Sequence, residues 1–307
     1  MNKTTKRFSE RIANYVFLFT AIIAVVSVSA ITLYMFIKGA PAIIKVGALD
    51  LLFGTTWKPT ASTPYFGIAY IILSSIVGTF CAVLLGVPVG LLTAVFFTDI
   101  TSGSKAGRRL SKILSSAVEL LAAIPSVIYG LIGLMVLNPI MYKVEKLFFA
   151  GSSTHQFTGG ANLISAIIVL AIMILPTVIN ISCSSIKAVP DSMRHASLAL
   201  GATKLQTIFK VVIPAARSGI MTGVVLGIGR ALGEAMAINM VAGGAVNIPL
   251  PFNSVRFLTT QLVSEMSYAS GLHRQVLFTV GLVLYLFVMV INFALARLKK
   301  KGDMDND

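Results

Sequence analysis

Long apolar stretches separated by short polar ones run along the whole chain. A helix needs about 20 residues to cross the hydrocarbon layer of a bilayer, and these stretches reach that length. The pattern therefore predicts an all-α polytopic membrane protein that forms a single transmembrane domain, residues 1–307, with six transmembrane helices. The predicted spans are residues 15–37, 68–98, 118–138, 163–186, 218–242 and 276–296.

The first apolar stretch follows several basic residues, as the hydrophobic part of a secretory signal does. It continues from Tyr15 to Ile37, which is longer than that part of a signal peptide. We therefore interpret it as an uncleaved first span.

Basic residues are distributed unevenly between the two sides of the predicted topology. With the N-terminus inside, the inside segments hold 17 Lys and Arg residues and the outside segments hold 7. Segments that stay in the cytoplasm carry the excess of positive charge, so both termini are predicted to be cytoplasmic. The inside segments are residues 1–14, 99–117, 187–217 and 297–307.

The composition agrees with a membrane protein and excludes several other classes. Only 12% of the residues are charged, against about a quarter in soluble globular chains. The net charge of +14 follows from the basic inside segments, so we expect contact with membrane lipid and no nucleic-acid partner. The two cysteines lie in apolar stretches and the three histidines are isolated in sequence, so neither a disulfide nor a metal site is predicted.

The inside segment 187–217 has a pattern of its own. Pro190 can start a helix, and Gly201 ends it. The sequence from Thr203 to Gln206 fits a capping box that starts a second helix. A short helix, a glycine bend and another short helix are therefore predicted. From the pattern alone, an amphipathic connector at the membrane surface is the favoured interpretation.

The same segment resembles the cytoplasmic signature of permease subunits of ATP-binding-cassette importers. That signature has Glu-Ala-Ala, three residues, a glycine, nine residues and Ile-x-Leu-Pro. The corresponding residues here are His195, Ala196 and Ser197, then Gly201, and finally Pro214. His195 replaces the usual acid and Ser197 replaces an alanine. The resemblance implies that this loop is a coupling helix that docks on an ATPase subunit.

Further motifs, spread over about residues 10 to 300, resemble phosphate importer permeases of the Pst system, and the PstC branch in particular. The resemblance implies the type I importer permease fold in a bacterial inner membrane. It also implies a PstA-like partner permease, two PstB-like ATPases and a PstS-like phosphate-binding protein outside the membrane. The motifs begin at Tyr65, Gly86, Ile124, Pro214 and Gly229.

Span five contains two opposite charges, Arg230 and Glu234. On a continuous helix they lie on the same face as Gly219, Gly223 and Gly227. Glycines at this spacing let two membrane helices pack closely, so the charges are expected to face protein or a water-filled path. A buried ion pair that fixes packing is one interpretation. The other is an anion site on a transport path, because a guanidinium can hold two phosphate oxygens.

The chain contains no Gly-xxxx-Gly-Lys-Ser/Thr phosphate loop, so we expect a separate subunit to hydrolyse ATP. No catalytic residues and no cofactor are predicted, since the sequence has no HExxH or GxSxG motif and no paired carboxylates within a span. The predicted function is a permease subunit of a phosphate importer. A permease for sulfate or molybdate and an ion-coupled secondary carrier remain as alternatives.

Overall fold

The computed structural model describes residues 3–100, 105–151 and 155–304, and nearly all of this part is helical. The helices in chain order are α1 (Lys3–Val46), α2 (Ala48–Phe53), α3 (Ala69–Val95), α4 (Lys105–Ala123), α5 (Ser126–Ile132), α6 (Asn138–Phe149), α7 (Leu163–Lys187), α8 (Asp191–Ala199), α9 (Lys204–Thr207), α10 (Ile213–Ala215), α11 (Arg217–Gly233), α12 (Met236–Val241), α13 (Leu258–Glu265) and α14 (Gly271–Met304). Strands β1 (Trp57–Lys58) and β2 (Tyr65–Phe66) pair antiparallel between α2 and α3. The π-helical turns Phe96–Ile100, Gly133–Leu137 and Ile208–Val212 continue α3, α5 and α9.

Five segments of the described chain are long and apolar enough to cross a membrane. A sixth crossing is present if Lys204–Ala215 and Arg217–Gly233, which are bent by 70° relative to each other, count as one span. The prediction of an all-α polytopic membrane fold is thus confirmed, with five crossings, or six if this bent pair is one of them. The five segments are Ile12–Val46, Ala69–Asp99, Ser126–Phe149, Leu163–Lys187 and Gly271–Ala294.

The third span lies further along the chain than residues 118–138, where the sequence placed it. The structure has a separate helix, α4, that ends at Ala123, and the apolar membrane segment begins only at Ser126. Pro125 between them has extended backbone, with ψ of 141°, so the helix does not continue through it. α4 is amphipathic. The sequence prediction joined its apolar residues to those of the following span and so placed the span too early.

The first and last long helices, α1 and α14, pack antiparallel. Met35 of α1 lies against Gly281, and Gly39 lies against the backbone at Thr279. The Thr279 hydroxyl also donates a hydrogen bond to the Gly39 carbonyl at 2.8 Å. Both chain ends therefore point to one side of the membrane, which we name the terminal side, and the other is named the opposite side.

Helix α7 is the centre of the membrane domain, because α3 packs on it from one side and α11 from another. Glycines make both contacts close. A Cβ atom at Gly90 of α3 would lie 2.8 Å from Val178, and one at Gly227 of α11 would lie 3.2 Å from the same side chain. α3 runs parallel to α7, so both end on the terminal side, where α8 to α10 follow.

Candidate functional site

The fifth span is broken in its middle, where the sequence predicted a continuous helix over 218–242. α11 ends at Gly233, Glu234 has extended backbone with ψ of 126°, and α12 begins at Met236. The Glu234 carboxylate accepts a hydrogen bond from the Ala237 backbone at 3.0 Å and so caps α12. The Thr259 hydroxyl of α13 donates to the Glu234 carbonyl at 2.7 Å. Both ends of the break therefore have hydrogen-bond partners.

This break lies at membrane depth. Gly227, which precedes the break, lies beside Ile174 of α7. Val241, which follows the break, contacts Gly133, and Gly133 in turn contacts Val169 of α7. Both of these α7 residues are well inside its apolar membrane segment. The irregular backbone at Glu234 is therefore shielded by protein or borders a water-filled cavity, since lipid cannot satisfy it.

Arg230 and Glu234 do not form the ion pair that their spacing predicts on an unbroken helix. No ion pair of the described residues includes either side chain. The two groups are separated because the helix ends between them and the carboxylate turns to cap α12. Arg230 is half-buried and interacts electrostatically with the Tyr129 hydroxyl of α5. That hydroxyl donates to the Leu121 carbonyl at 2.7 Å.

The three glycines before the break lie along α7. Cβ atoms would meet Ser185 at Gly219, Ile181 at Gly223 and Val178 at Gly227. This stripe therefore lets α11 approach α7 within the chain itself. The glycine face of α11, which the sequence predicted to pack closely against another helix, packs against α7.

On the terminal side, α8 and α9 form the predicted helix, glycine bend and helix. Gly201 has φ of +84°, a backbone conformation that favours glycine. The capping box at the start of α9 is confirmed, because Thr203 accepts from the Gln206 backbone and the Gln206 side chain accepts from the Thr203 backbone. The Ser197 and Thr207 hydroxyls are 2.9 Å apart and join the two helices.

The surface of this loop is exposed and partly apolar. His195 and Ala196 are exposed on α8, and Leu200 at its end is 89% exposed. Pro214, also exposed, lies in α10 next to the bend that leads into α11. Met193 and Leu198 of α8 and Leu205 of α9 are also exposed, and an exposed apolar patch marks a surface that contacts another protein or a membrane.

Arg194 attaches this loop to the membrane helices, and the sequence analysis missed it. Its guanidinium forms an ion pair with Asp99, at the end of α3, and donates to the Ile186 carbonyl of α7 at 2.9 Å. Asp191 on the same helix is a more distant partner at 3.7 Å. Asp99 and Arg194 are 95 positions apart, so no local pattern predicts that they meet.

A buried carboxylate on the opposite side, Glu265 of α13, joins four elements. It accepts hydrogen bonds from Arg256 at 2.6 Å and from the indole of Trp57 in β1 at 3.1 Å. The His273 ring of α14 lies 2.7 Å from the same carboxylate. These residues were predicted to be in a loop, and their pairing depends on contacts between segments distant in sequence.

Glu265, Arg256, Trp57 and His273 together are named the Glu265 cluster. The cluster borders a recess of about 680 Å³ that Lys58 and Tyr268 also line. Partial burial of the Tyr268 phenol raises its pKa above the usual value; Glu265 adds to this and Arg256 opposes it. The phenol therefore remains protonated at neutral pH and can donate a hydrogen bond.

A second buried carboxylate on the same side is Glu145 of α6. It lies 2.9 Å from the His155 ring and accepts from both the backbone and the hydroxyl of Thr158. The ring of Phe149 stacks on His155. In the described part of the chain, no group of three or more His, Cys, Asp or Glu residues could hold a metal ion.

The chain is similar to a known protein family and to individual proteins of that kind. Residues 86–301 match the family model described as "Binding-protein-dependent transport system inner membrane component". The "Probable ABC transporter permease protein YqgH" of Bacillus subtilis is 37% identical, covering 91% of this chain and 88% of that protein. The "Phosphate transport system permease protein PstC" of Mesorhizobium japonicum is 33% identical, covering 90% and 85%.

Solved structures support the fold. A bacterial ABC transporter in complex with an alginate-bound periplasmic protein contains a chain that superposes with a TM-score of 0.64 at 14% identity, covering 96% of this chain and 98% of that one. A chain of the MetNI methionine ABC transporter, in an inward-facing conformation, gives a TM-score of 0.53 at 23% identity, covering 77% and 94%. At this level of identity the two structures are evidence for the fold alone.

Proposed function

Since the chain belongs to the family of binding-protein-dependent transport system inner membrane components, we propose that it is the membrane-spanning subunit of an ATP-driven importer of inorganic phosphate. Relatives named as PstC phosphate permeases align with most of the chain, which supports phosphate as the substrate. The observation that carries the proposal is Arg230. It is a half-buried guanidinium at membrane depth, beside a helix break, and no described carboxylate pairs with it.

Arg230 has the chemistry that a passing phosphate needs. The guanidinium stays charged and presents a planar fork that can bind two phosphate oxygens. A charge at the bilayer centre costs about 2.5–3.5 kcal/mol on insertion scales, so an uncompensated one favours an anionic ligand in the path. In this proposal Glu234, at the break, accepts a hydrogen bond from the hydroxyl of a protonated phosphate. A fully deprotonated oxyanion has no such hydrogen.

The orientation follows from the basic residues. The terminal side carries most of the Lys and Arg residues, so it faces the cytoplasm of the bacterial cell. The loop formed by α8 to α10 is then cytoplasmic, and the Glu265 cluster is on the side where substrate arrives. The whole chain, residues 1–307, acts as one permease domain that lines half of the path.

The family is described as dependent on a binding protein, so a substrate-binding protein is one partner. The chain has no phosphate-loop motif, so a separate ATPase is another. The partners in the proposed complex are a PstA-like permease, two PstB-like ATPases and a PstS-like phosphate-binding protein. The ATPase contacts the exposed surface of α8 and the bend after it, which contains His195, Ala196, Ser197, Gly201 and Pro214. His195 in place of an acid makes this contact independent of a carboxylate at that position.

Arg194 gives this loop a direct connection to the membrane helices. Through Asp99 it is tied to α3, and through the Ile186 carbonyl it is tied to α7. When the ATPase moves α8, these bonds move the ends of both helices with it. The bend between α10 and α11 lets the same movement reach Arg230.

Uptake of labelled phosphate by cells that express the complete transporter tests the proposal. The Arg230→Gln variant should assemble normally and lose uptake, whereas Lys146→Gln, which removes an exposed cation elsewhere, should transport normally. Full uptake by Arg230→Gln would remove Arg230 from the path.

The same assay, with sulfate or molybdate as competitor, separates phosphate from other oxyanions. Unlabelled phosphate should suppress uptake and the competitors should not. Suppression by sulfate or molybdate instead would reassign the substrate while leaving the permease function intact.

A further inference from the structure

A groove of about 470 Å³ lies between α1 and α14 at their ends on the opposite side of the membrane. Its walls are apolar and aromatic: Tyr34 and Ile37 of α1 face Phe278 of α14. The Tyr34 and Phe278 rings are in edge-to-face contact, with centroids 5.6 Å apart. Pro41 and Gly271 close the end of the groove that is furthest from the bilayer centre.

Two cations from different helices, Lys38 and Arg274, line the same groove. Both side chains are exposed, and neither forms an ion pair with a described carboxylate. The Lys38 ammonium lies 5.8 Å from the centre of the Tyr34 ring. The groove thus combines two uncompensated positive charges with an apolar floor.

The groove lies toward the ends of the α1 and α14 membrane segments on the opposite side. The apolar membrane segment of α14 begins at Gly271, only a few residues before Arg274. Lys38 is next to Gly39, which contacts the backbone at Thr279, and its ammonium lies near the Tyr34 ring. Further into the bilayer, exposed apolar residues such as Leu33 and Leu286 continue both helices.

We propose that this groove binds one anionic phospholipid of the leaflet on that side, with its phosphodiester between Lys38 and Arg274 and an acyl chain along Tyr34, Ile37 and Phe278. The two positive charges complement a phosphodiester, and the apolar floor complements an acyl chain. Free inorganic phosphate has no acyl chain, so the groove favours a lipid. A bound lipid fills the gap between the first and last spans and so holds α1 against α14. This site is independent of the proposed transport function.

A photoreactive phosphatidylglycerol tests the site in the purified full-length complex. Crosslinked peptides should come from residues 34–41 and 271–278, and excess phosphatidylcholine should compete poorly. Millimolar inorganic phosphate should not displace the lipid. Absence of crosslinks in these two segments, or displacement by inorganic phosphate, would overturn the proposal without affecting the uptake experiments on Arg230.

Matched variants then test the two cations. Each cation near a membrane surface contributes a factor of about five to anionic-lipid binding, so Lys38→Gln with Arg274→Gln should lower crosslinking by about twenty-fivefold. The charge-preserving pair Lys38→Arg with Arg274→Lys should retain it. Lys58→Gln removes an exposed cation on the same side but outside the groove, and it should have no effect. Equal crosslinking in the neutral and charge-preserving pairs would contradict the proposal.

Discussion

Gly219 of α11 and Ser185 of α7 are in such close contact that a Cβ atom at position 219 would lie 2.6 Å from the Ser185 Cβ. The same helix pair is close at Gly223 and Gly227, but there the hypothetical Cβ would be 3.1 Å or more from its nearest neighbour. The contact at Gly219 is therefore the tightest of the three glycine contacts between α11 and α7. It lies at the terminal end of α11, next to the bend that follows the exposed loop.

Gly219→Ala should destabilise the protein, although alanine is the better helix former. Forced overpacking costs about 1–3 kcal/mol, which exceeds the gain of about 1 kcal/mol from helix propensity. Thermal unfolding of the purified complex measures the change. Gly229→Ala is the matched control on the same helix, because no described atom lies within 4 Å of its added Cβ. Ser185→Gly should remove most of the penalty in a double variant, and additive effects would contradict the steric explanation.

Substitutions of Glu234 should separate its capping role from its charge. Glu234→Gln keeps a side-chain oxygen that accepts from Ala237, so stability should change little. Glu234→Ala loses the cap and about 1 kcal/mol. Phosphate uptake should fall in both variants if the carboxylate contacts substrate. Normal uptake by the stable Glu234→Gln variant would leave capping as the only role of this side chain.

Arg194→Gln should uncouple ATP hydrolysis from transport, because it removes the ion pair with Asp99. Hydrogen bonds to charged groups are worth about 1.5–3 kcal/mol, so we expect about a tenfold or greater loss of phosphate uptake per ATP hydrolysed. The measurement is uptake and ATPase activity in the same proteoliposomes. Lys204→Gln, an exposed cation on the neighbouring helix, is the control. An unchanged ratio in Arg194→Gln would show that coupling does not depend on this link.

Glu265→Gln should loosen the opposite side locally. It leaves the Arg256 guanidinium without its closest anion, and breaking a buried pair in this way costs about 3 kcal/mol or more. Trp57 is the only tryptophan in the chain and donates to this carboxylate, so its fluorescence reports the change. The fluorescence of a complex with the Trp57→Phe substitution gives the contribution of tryptophans in the other subunits. An unshifted emission spectrum together with unchanged stability would contradict the expected loosening.

The sequence predicted the membrane class, the number of crossings and the helix–glycine–helix loop, because each depends on local properties. Hydropathy over about 20 residues identifies a span, and a positive-φ glycine followed by a capping box defines the loop. The third span was misplaced because Pro125 separates two helices whose apolar residues form one continuous stretch. Local hydropathy does not distinguish an amphipathic helix at the surface from the start of a span.

The sequence alone determined that Arg230 and Glu234 lie within an apolar segment and that three glycines precede them at helical spacing. Only the tertiary structure decided that the helix breaks between the two charges, since the break depends on Thr259 of α13 and on the cap at Ala237. It also decided which distant residues meet, as Arg194 does with Asp99 and Glu265 with Trp57. These contacts depend on how whole helices pack, and packing is set by many weak interactions between segments that are far apart in the chain.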